Sequence, residues 1–139
     1  IIGNGINKDF LKEFIKKNNL SLDIKIMNFQ KNPFPYLKKS EVLILSSLFE
    51  GLPNVLLESL SLKKFVISSD CPTGPKEILD YGKNGLLFKA NDENDLLKKI
   101  IYYLQNKKKC EYLLSNGVKR LWRFNYRSNL QKYVKLMDS

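Results

Sequence analysis

Two glutamates, Glu50 and Glu58, flank the turn of this sequence that is best placed to do chemistry. A carboxylate can accept hydrogen bonds from two neighbouring hydroxyl groups, such as those of a sugar or a ribose. Between the glutamates, Gly51 allows a sharp turn. Pro53 can then begin a helix, because proline at the first helical position loses only an N–H that has no partner there. Glu58 is therefore expected about one and a half turns into this helix, roughly 8 Å along its axis.

The start of that helix is a predicted anion site. Its first N–H groups have no partner inside the helix, and the helix dipole adds partial positive charge, so a diphosphate is a suitable ligand. A nucleotide sugar would place its sugar beside Glu50, its diphosphate at the helix start and its ribose beside Glu58. The candidate donor-binding residues around the helix start are Gly51, Leu52, Pro53, Asn54 and Val55.

The two glutamates, taken alone, leave a structural interpretation open. Glu50 can cap the helix, and Glu58 can be a solvated side chain on its surface. A bare pair of glutamates at this spacing favours that interpretation unless the surrounding residues also point to a ligand.

The strands on either side of this turn must position it. Short apolar runs alternate with helical patterns, which predicts an α/β fold with a Rossmann-like parallel sheet flanked by helices, and residues 1–139 form a single domain in this interpretation. Ligands collect at the carboxyl ends of such strands. Asn91 or Asp92 is expected to cap a helix that ends near Gln105. The predicted strands are Leu22–Phe29, Val42–Leu45, Phe65–Ser69 and Leu86–Lys89.

The composition narrows the classes of function. The 139 residues carry a formal net charge of +10 and include no histidine, which removes histidine as a general base or metal ligand. Lysines form short runs and do not alternate with arginines and aromatic residues, so nucleic acid is not an expected partner. The charge fits either a bias spread over solvated surfaces or attraction to an anionic ligand or membrane. Cys71 and Cys110 lie far apart, which predicts neither a zinc site nor a disulfide framework.

Three segments together resemble the retaining GT-B glycosyltransferase family four, the glycosyl transferases group 1. Residues 46–60, SSLFEGLPNVLLESL, resemble that family's E-x7-E segment. Residues 66–79, VISSDCPTGPKEIL, resemble the strand and loop that follow, and residues 81–88, YGKNGLLF, resemble the glycine turn and next strand. With residues 1–5, which resemble an earlier strand and glycine turn, the resemblance covers nearly the whole chain in the family's C-terminal, donor-binding domain.

The resemblance implies roles for the two glutamates and for a base pocket. Glu50 would lie beside the donor sugar and the reacting centre, as the catalytic residue, and Glu58 would hold the ribose. Phe29 and Gln30 would lie beside the base, although Gln30 stands where many relatives have glycine. Tyr36 would line the same pocket, with packing as its alternative role.

The loop after the strand Phe65–Ser69 would support the site. For Glu77, capping its own short helix, which is expected to run from Pro75 to Tyr81, is the stronger expectation. The family transfers a sugar with retention, through a transition state that resembles an oxocarbenium ion. The helix start would stabilise the departing diphosphate, so we expect no metal and no cofactor beyond the nucleotide sugar. The supporting residues are Asp70, Thr73, Gly74 and Glu77.

The resemblance also implies partners. The family's acceptor-binding N-terminal domain and the start of this domain would precede Ile1, so the chain alone is not expected to transfer sugar. The 70–77 loop resembles that of transferases for hexoses and N-acetylhexosamines, which implies a UDP-sugar donor and a glycan or lipid-linked acceptor. Because no signal peptide or spanning segment is visible, we expect a cytoplasmic protein that is peripheral at the inner membrane face.

Two alternatives remain open. A nucleotide-sugar epimerase of GT-B fold shares the architecture, but it is not expected to carry this segment between the glutamates. A non-enzymatic Rossmann-like binding module, such as a receiver, would need an acidic cluster at the strand ends. Asp70 is the candidate for such a cluster, and it has no acidic neighbours in the sequence.

Overall fold

The computed structural model describes the backbone of residues 1–137 and, within that range, the side chains of all residues except 128 and 132–136. The described chain divides into two compact units, the first over Ile1–Pro35 and the second beginning at Tyr36. Within residues 1–137, no helix has both the length and the apolar character that crossing a bilayer requires.

The first unit contains one long helix, α1 (Lys8–Lys17), which buries Ile15. The predicted strand Leu22–Phe29 is wrong. Of the unit's residues, Met27 pairs with Ile2 in an isolated parallel bridge, and no ladder extends from it. Apolar and polar residues alternate here as in a strand with one buried face, but Leu22 is fully exposed. The N–H groups of Asp23 and Ile24 bond to the carbonyl of Leu20 within a turn, and not to a neighbouring strand.

The second unit is built on a parallel sheet in the order β1-β2-β3. Its strands are β1 (Val42–Leu45), β2 (Phe65–Ser69) and β3 (Leu86–Phe88). Every residue of the central strand β2 is buried, because helices cover both faces of the sheet. The α/β prediction is therefore confirmed, and so are the predicted bounds of β1 and β2.

Helices surround this sheet and join its strands. Leu56 and Leu60 pack with Val66 in one buried cluster, and Phe65, Ile67 and residues of later helices form a second cluster. The helices are α2 (Phe34–Lys39), α3 (Asn54–Ser61), α4 (Pro75–Ile78), α5 (Glu93–Gln105), α6 (Lys107–Lys119), a 3₁₀ helix (Leu121–Phe124) and α7 (Tyr126–Met137).

Two helix ends differ from the sequence prediction for local reasons. The helix expected to run from Pro75 to Tyr81 ends at Ile78, because Asp80 and Tyr81 adopt the left-handed conformation, with φ of 46° and 55°. The helix expected to begin at Pro53 begins one residue later, at Asn54.

Three side chains tie the beginning of β1 to α5 and α6. Tyr103 donates a hydrogen bond to Glu41 at 3.2 Å, and Lys107 forms an ion pair with the same carboxylate. The Lys107 ammonium also lies over the Tyr103 ring, 3.7 Å from its centroid. The hydrogen bond from Lys107 lowers the pKa of the Glu41 carboxyl. The contribution of this pair to stability is thus present at neutral pH and falls as the pH drops through that lowered pKa.

Asp92 caps α5, as the sequence predicts, since its carboxylate accepts a hydrogen bond from the backbone N–H of Asp95 at 2.9 Å. We expect Asp92→Ala to lower the free energy of unfolding by about 1 kcal/mol, because one N–H at the helix start loses its acceptor. Urea denaturation followed by circular dichroism measures this loss. Asp92→Asn keeps an acceptor and should lower the free energy of unfolding by only a few tenths of the loss in Asp92→Ala. Equal losses for the two variants would contradict the capping role.

Candidate donor-binding site

The carboxyl ends of β1 and β2 lie side by side, as a parallel sheet requires, and a hydrogen bond ties the loops that leave them. The Ser69 hydroxyl donates to the backbone carbonyl of Ser47 at 2.5 Å. Neither serine is among the site residues that the sequence predicts. A sequence feature that could have indicated this contact is the position of the hydroxyl groups at the ends of apolar strands, because a buried polar group there needs a hydrogen-bond partner.

The turn from β1 into α3 leaves the first N–H groups of the helix without an acceptor inside it. Pro53 occupies the position before the helix in an extended conformation, with φ of −71°, and its carbonyl accepts from the N–H of Leu56 at 3.0 Å. The N–H groups of Asn54 and Val55 then begin the helix and have no carbonyl within it to bind. Because proline has no N–H, Pro53 itself shapes the turn and donates nothing.

Both predicted glutamates belong to this turn and helix. Glu50 lies at the end of the loop, and its side chain is half-buried. Glu58 is half-buried on α3, one helical turn after Asn54, or about 6 Å along the axis. Among the residues that the structure describes, neither carboxylate forms an ion pair.

The predicted supporting loop contacts the turn directly. The hydroxyl of Thr73 donates a hydrogen bond to the backbone carbonyl of Glu50. Gly74 packs so closely that a Cβ atom there would lie 2.0 Å from the carbonyl oxygen of Gly51 and 2.6 Å from Cδ of Pro53. Residues 73 and 74 therefore hold the backbone of the 50–53 turn.

Asp70 anchors the beginning of this loop. Its N–H donates to the carbonyl of Phe88 at 2.7 Å, and one carboxylate oxygen pairs with Lys76 at 3.0 Å. The other carboxylate oxygen is buried and has no partner among the described residues. Glu77 lies exposed in the first turn of α4, where the helix dipole favours a carboxylate.

The residues predicted for the base pocket lie in different units. Phe29 and Gln30 belong to the first unit, where the N–H of Phe29 donates to the side chain of Asn4 at 3.3 Å and most of the Phe29 ring is exposed. The amide of Gln30 donates to the carbonyl of Asn28 at 3.0 Å. Tyr36 opens the second unit, on α2, and is partly exposed.

Two clefts in the described part of the chain lie elsewhere. One, of about 340 Å³, lies between the 80–84 turn and the end of α6, and the other, of about 200 Å³, lies within the first unit. Neither includes Glu50 or Glu58. The features of α3 that suit a donor are the N–H groups at its start and the backbone contacts of the turn before it.

Most of the chain matches a known protein family. The family described as "Glycosyl transferases group 1" matches residues 1–120. An uncharacterized glycosyltransferase of Methanocaldococcus jannaschii is 46% identical over 102 residues, which cover 64% of this chain and 25% of that protein. The N-acetylgalactosamine-N,N'-diacetylbacillosaminyl-diphospho-undecaprenol 4-alpha-N-acetylgalactosaminyltransferase of Campylobacter jejuni is 34% identical over 108 residues, which cover 78% of this chain and 30% of that protein.

A solved structure shows the same fold. A mutant of S. aureus TarM, crystallised with fondaparinux, alpha-GlcNAc-glycerol and UDP, matches with a TM-score of 0.85 at 24% identity, over 100% of this chain and 28% of that chain. The chain spans between a quarter and a third of the length of the two curated relatives above.

Proposed function

The chain belongs to the glycosyl transferases group 1 family, with the fold of the C-terminal half of a GT-B glycosyltransferase, and we propose that it forms the donor-binding part of a retaining transferase. The donor is a nucleotide diphosphate sugar, with UDP as the nucleotide. The observation that carries this proposal is the start of α3, whose first N–H groups have no acceptor within the helix and follow a turn that Thr73 and Gly74 hold in place.

The proposed donor lies along this turn, and each of its groups meets a group of the protein that can bind it. The diphosphate accepts hydrogen bonds from the N–H groups of Asn54 and Val55, and the dipole of α3 favours its negative charge. Glu58, one turn further along α3, accepts hydrogen bonds from the ribose hydroxyls. Glu50, on the other side of the helix start, accepts from the hydroxyls of the sugar. The two carboxylates thus bind neutral hydroxyl groups on either side of the anion.

The same geometry supports a transfer mechanism. When the bond between the anomeric carbon and the diphosphate oxygen breaks, positive charge develops on the sugar and negative charge on the departing diphosphate. The N–H groups at the helix start point at the position where the negative charge grows, so they stabilise the transition state more than the bound donor. Glu50 lies on the sugar side, where a carboxylate favours the developing positive charge.

The proposal for the transferred sugar and for the acceptor rests on the function for which a relative is named. The Campylobacter jejuni relative is named for the transfer of N-acetylgalactosamine to a diphospho-undecaprenol-linked sugar. This supports a hexose or N-acetylhexosamine as the transferred sugar and a glycan or lipid-linked acceptor. It also supports a location at the membrane surface for the complete reaction.

Isothermal titration tests the donor assignment. We expect the 139-residue chain to bind UDP with a dissociation constant of roughly 0.1–1 mM, since an open helix start offers few contacts. Uridine should bind at least about tenfold more weakly, because it lacks the diphosphate that the helix start recognises. Equal affinity for UDP and uridine would contradict the proposed diphosphate site at the start of α3. A chain that ignores UDP at about 10 mM would instead favour a non-enzymatic binding module.

A further inference from the structure

A cleft of about 340 Å³ lies between the turn that precedes β3 and the end of α6. Because the strands are parallel, this turn lies at the edge of the sheet where the strands begin, whereas the proposed donor site follows the edge where they end. The cleft is therefore separate from the donor site. The described residues that line it are all polar or charged, namely Asp80, Lys83, Asn84, Asn116, Lys119 and Arg120.

Close contacts hold the two walls of this cleft together. Arg120, just past the end of α6, forms an ion pair with Asp80 in the turn. Gly117 packs so tightly on the turn that a Cβ atom there would lie 3.2 Å from both Cβ and the carbonyl oxygen of Asn84. The side-chain amide of Asn84 also donates a hydrogen bond to the carbonyl of Ile78 at 3.3 Å. The turn and the helix end are thus packed as one body, with the cleft between them.

Three of the lining side chains are cations and one is a carboxylate, which leaves an excess of positive charge in the cleft. The Asp80 carboxylate pairs with Arg120 and lies 3.8 Å from the ammonium of Lys83. Lys119 forms no ion pair with any residue in the described part of the chain. The dipole of α6 favours cations at its end, which accounts for Lys119 and Arg120 but not for Lys83 on the facing turn. The excess charge suits an anionic ligand.

Two amides complete the lining of the cleft. Asn84 is only 1% exposed, and its Oδ1 atom is buried and accepts no hydrogen bond from any described residue. A buried acceptor normally has a donor, so this atom indicates a missing partner at the wall of the cleft. Asn116 supplies a second, half-buried amide from α6. Because an amide both donates and accepts, hydroxyl groups are its natural partners in a ligand, directly or through a bound water.

We propose that this cleft binds a phosphate monoester of a small hydroxylated molecule, with the size and chemistry of a sugar phosphate. The phosphate accepts charge-assisted hydrogen bonds from Lys119 and Lys83, and the hydroxyl groups meet the two amides. The volume lies at the lower end of the roughly 300–1,000 Å³ of ligand pockets, so a bare phosphate would fill only part of it. A nucleotide fits less well, since no aromatic side chain among the described lining residues can stack on a base.

Isothermal titration with glucose 6-phosphate as the probe tests the ligand class. We expect the 139-residue chain to bind it with a dissociation constant of about 1 mM, because the cleft is open and its cations are exposed. Glucose and inorganic phosphate should each bind at least about fivefold more weakly, since each lacks one half of the recognised chemistry. Equal affinity for inorganic phosphate and glucose 6-phosphate, or no binding of the latter at about 20 mM, would overturn the proposal.

A pair of lysine variants separates this cleft from the general positive charge of the chain. Lys119→Ala should weaken the binding of glucose 6-phosphate about tenfold, the loss expected for one hydrogen bond to a charged group. Lys108→Ala is the matched control, because Lys108 is exposed at the start of the same helix and also lacks an ion pair among the described residues. This control should leave the affinity within about twofold. Equal losses in the two variants, both folded by circular dichroism, would show attraction to charge alone and overturn the proposal.

Amide chemical shifts locate the bound molecule. Titration of the ¹⁵N-labelled chain with glucose 6-phosphate should shift the signals of residues 80–84 and 116–120, while shifts confined to residues 50–55 would place the ligand at the donor site and overturn the proposal. No step uses UDP, so the result is independent of whether the proposed donor site exists. Flotation with vesicles that contain phosphatidic acid, itself a phosphate monoester, covers a lipid source. Vesicle binding that Lys119→Ala abolishes, without binding of glucose 6-phosphate, would assign the cleft to a lipid headgroup and overturn the soluble ligand.

Discussion

Gly74→Ala is expected to lower the free energy of unfolding by about 3 kcal/mol, the largest loss among the single-methyl changes available at the candidate site. Two costs combine at this position. Gly74 has φ of 87° and ψ of −68°, a conformation that is rare and strained for any residue with a side chain. In addition, the new Cβ would lie 2.0 Å from the carbonyl oxygen of Gly51, and that atom belongs to backbone that cannot rotate away.

Two further glycines separate these costs. Gly82 has φ of 90° but no atom closer than 4.0 Å to a Cβ built there, so Gly82→Ala should cost only the strain, about 1 kcal/mol. Gly51 has no atom within 4 Å of such a Cβ and no positive φ, so Gly51→Ala should change stability by less than about 0.5 kcal/mol. Urea denaturation measures all three. If Gly74→Ala costs no more than Gly82→Ala, the loop does not pack against the 50–53 turn.

The strands and one cap of this fold are readable from the sequence because each depends on a local rule. Val42–Leu45 and Phe65–Ser69 are short apolar runs between breakers, which is typical of strands covered on both faces. Asp92 precedes a helical pattern and has the right side chain to accept a backbone N–H. The same kind of local rule fails for Leu22–Phe29, because alternation predicts a strand but does not supply the neighbouring strand that a ladder needs.

The contacts that hold the candidate site depend on residues far apart in the chain. Thr73 bonds to Glu50, 23 positions away, only because β1 and β2 pair in register and bring their following loops together. Because Gly74 stands between threonine and proline, the sequence indicates a turn there. It does not indicate which part of the backbone Gly74 approaches. The buried side of α5 is hidden for a related reason. Leu96 and Leu97 are adjacent aliphatic residues, as are Ile100 and Ile101, and only the packing of α5 shows that the first member of each pair faces the sheet.

Glu58→Ala is expected to weaken the binding of UDP about 10- to 100-fold, the loss that follows when a hydrogen bond to a charged group is removed. GDP and ADP should lose affinity by similar factors, because the ribose is common to all three. The sign of the effect is informative. Removing a carboxylate near a diphosphate lowers electrostatic repulsion, so a purely electrostatic role for Glu58 would make binding tighter. Glu111→Ala, at an exposed glutamate on α6, makes the same change in charge and should leave affinity within about twofold.

The 2′-hydroxyl of the ligand provides the decisive comparison. If Glu58 accepts hydrogen bonds from the ribose, the wild-type chain should bind UDP more tightly than 2′-deoxy-UDP, and Glu58→Ala should remove most of that difference, because a hydroxyl gains nothing where its acceptor is absent. Glu58→Gln keeps one carbonyl oxygen as an acceptor and should retain part of the preference. The four titrations of two chains with two ligands form a double-mutant cycle, which isolates the contact from any general effect on the fold. Should both chains discriminate between the ligands equally, the ribose contact lies elsewhere, even if Glu58→Ala has weakened UDP binding.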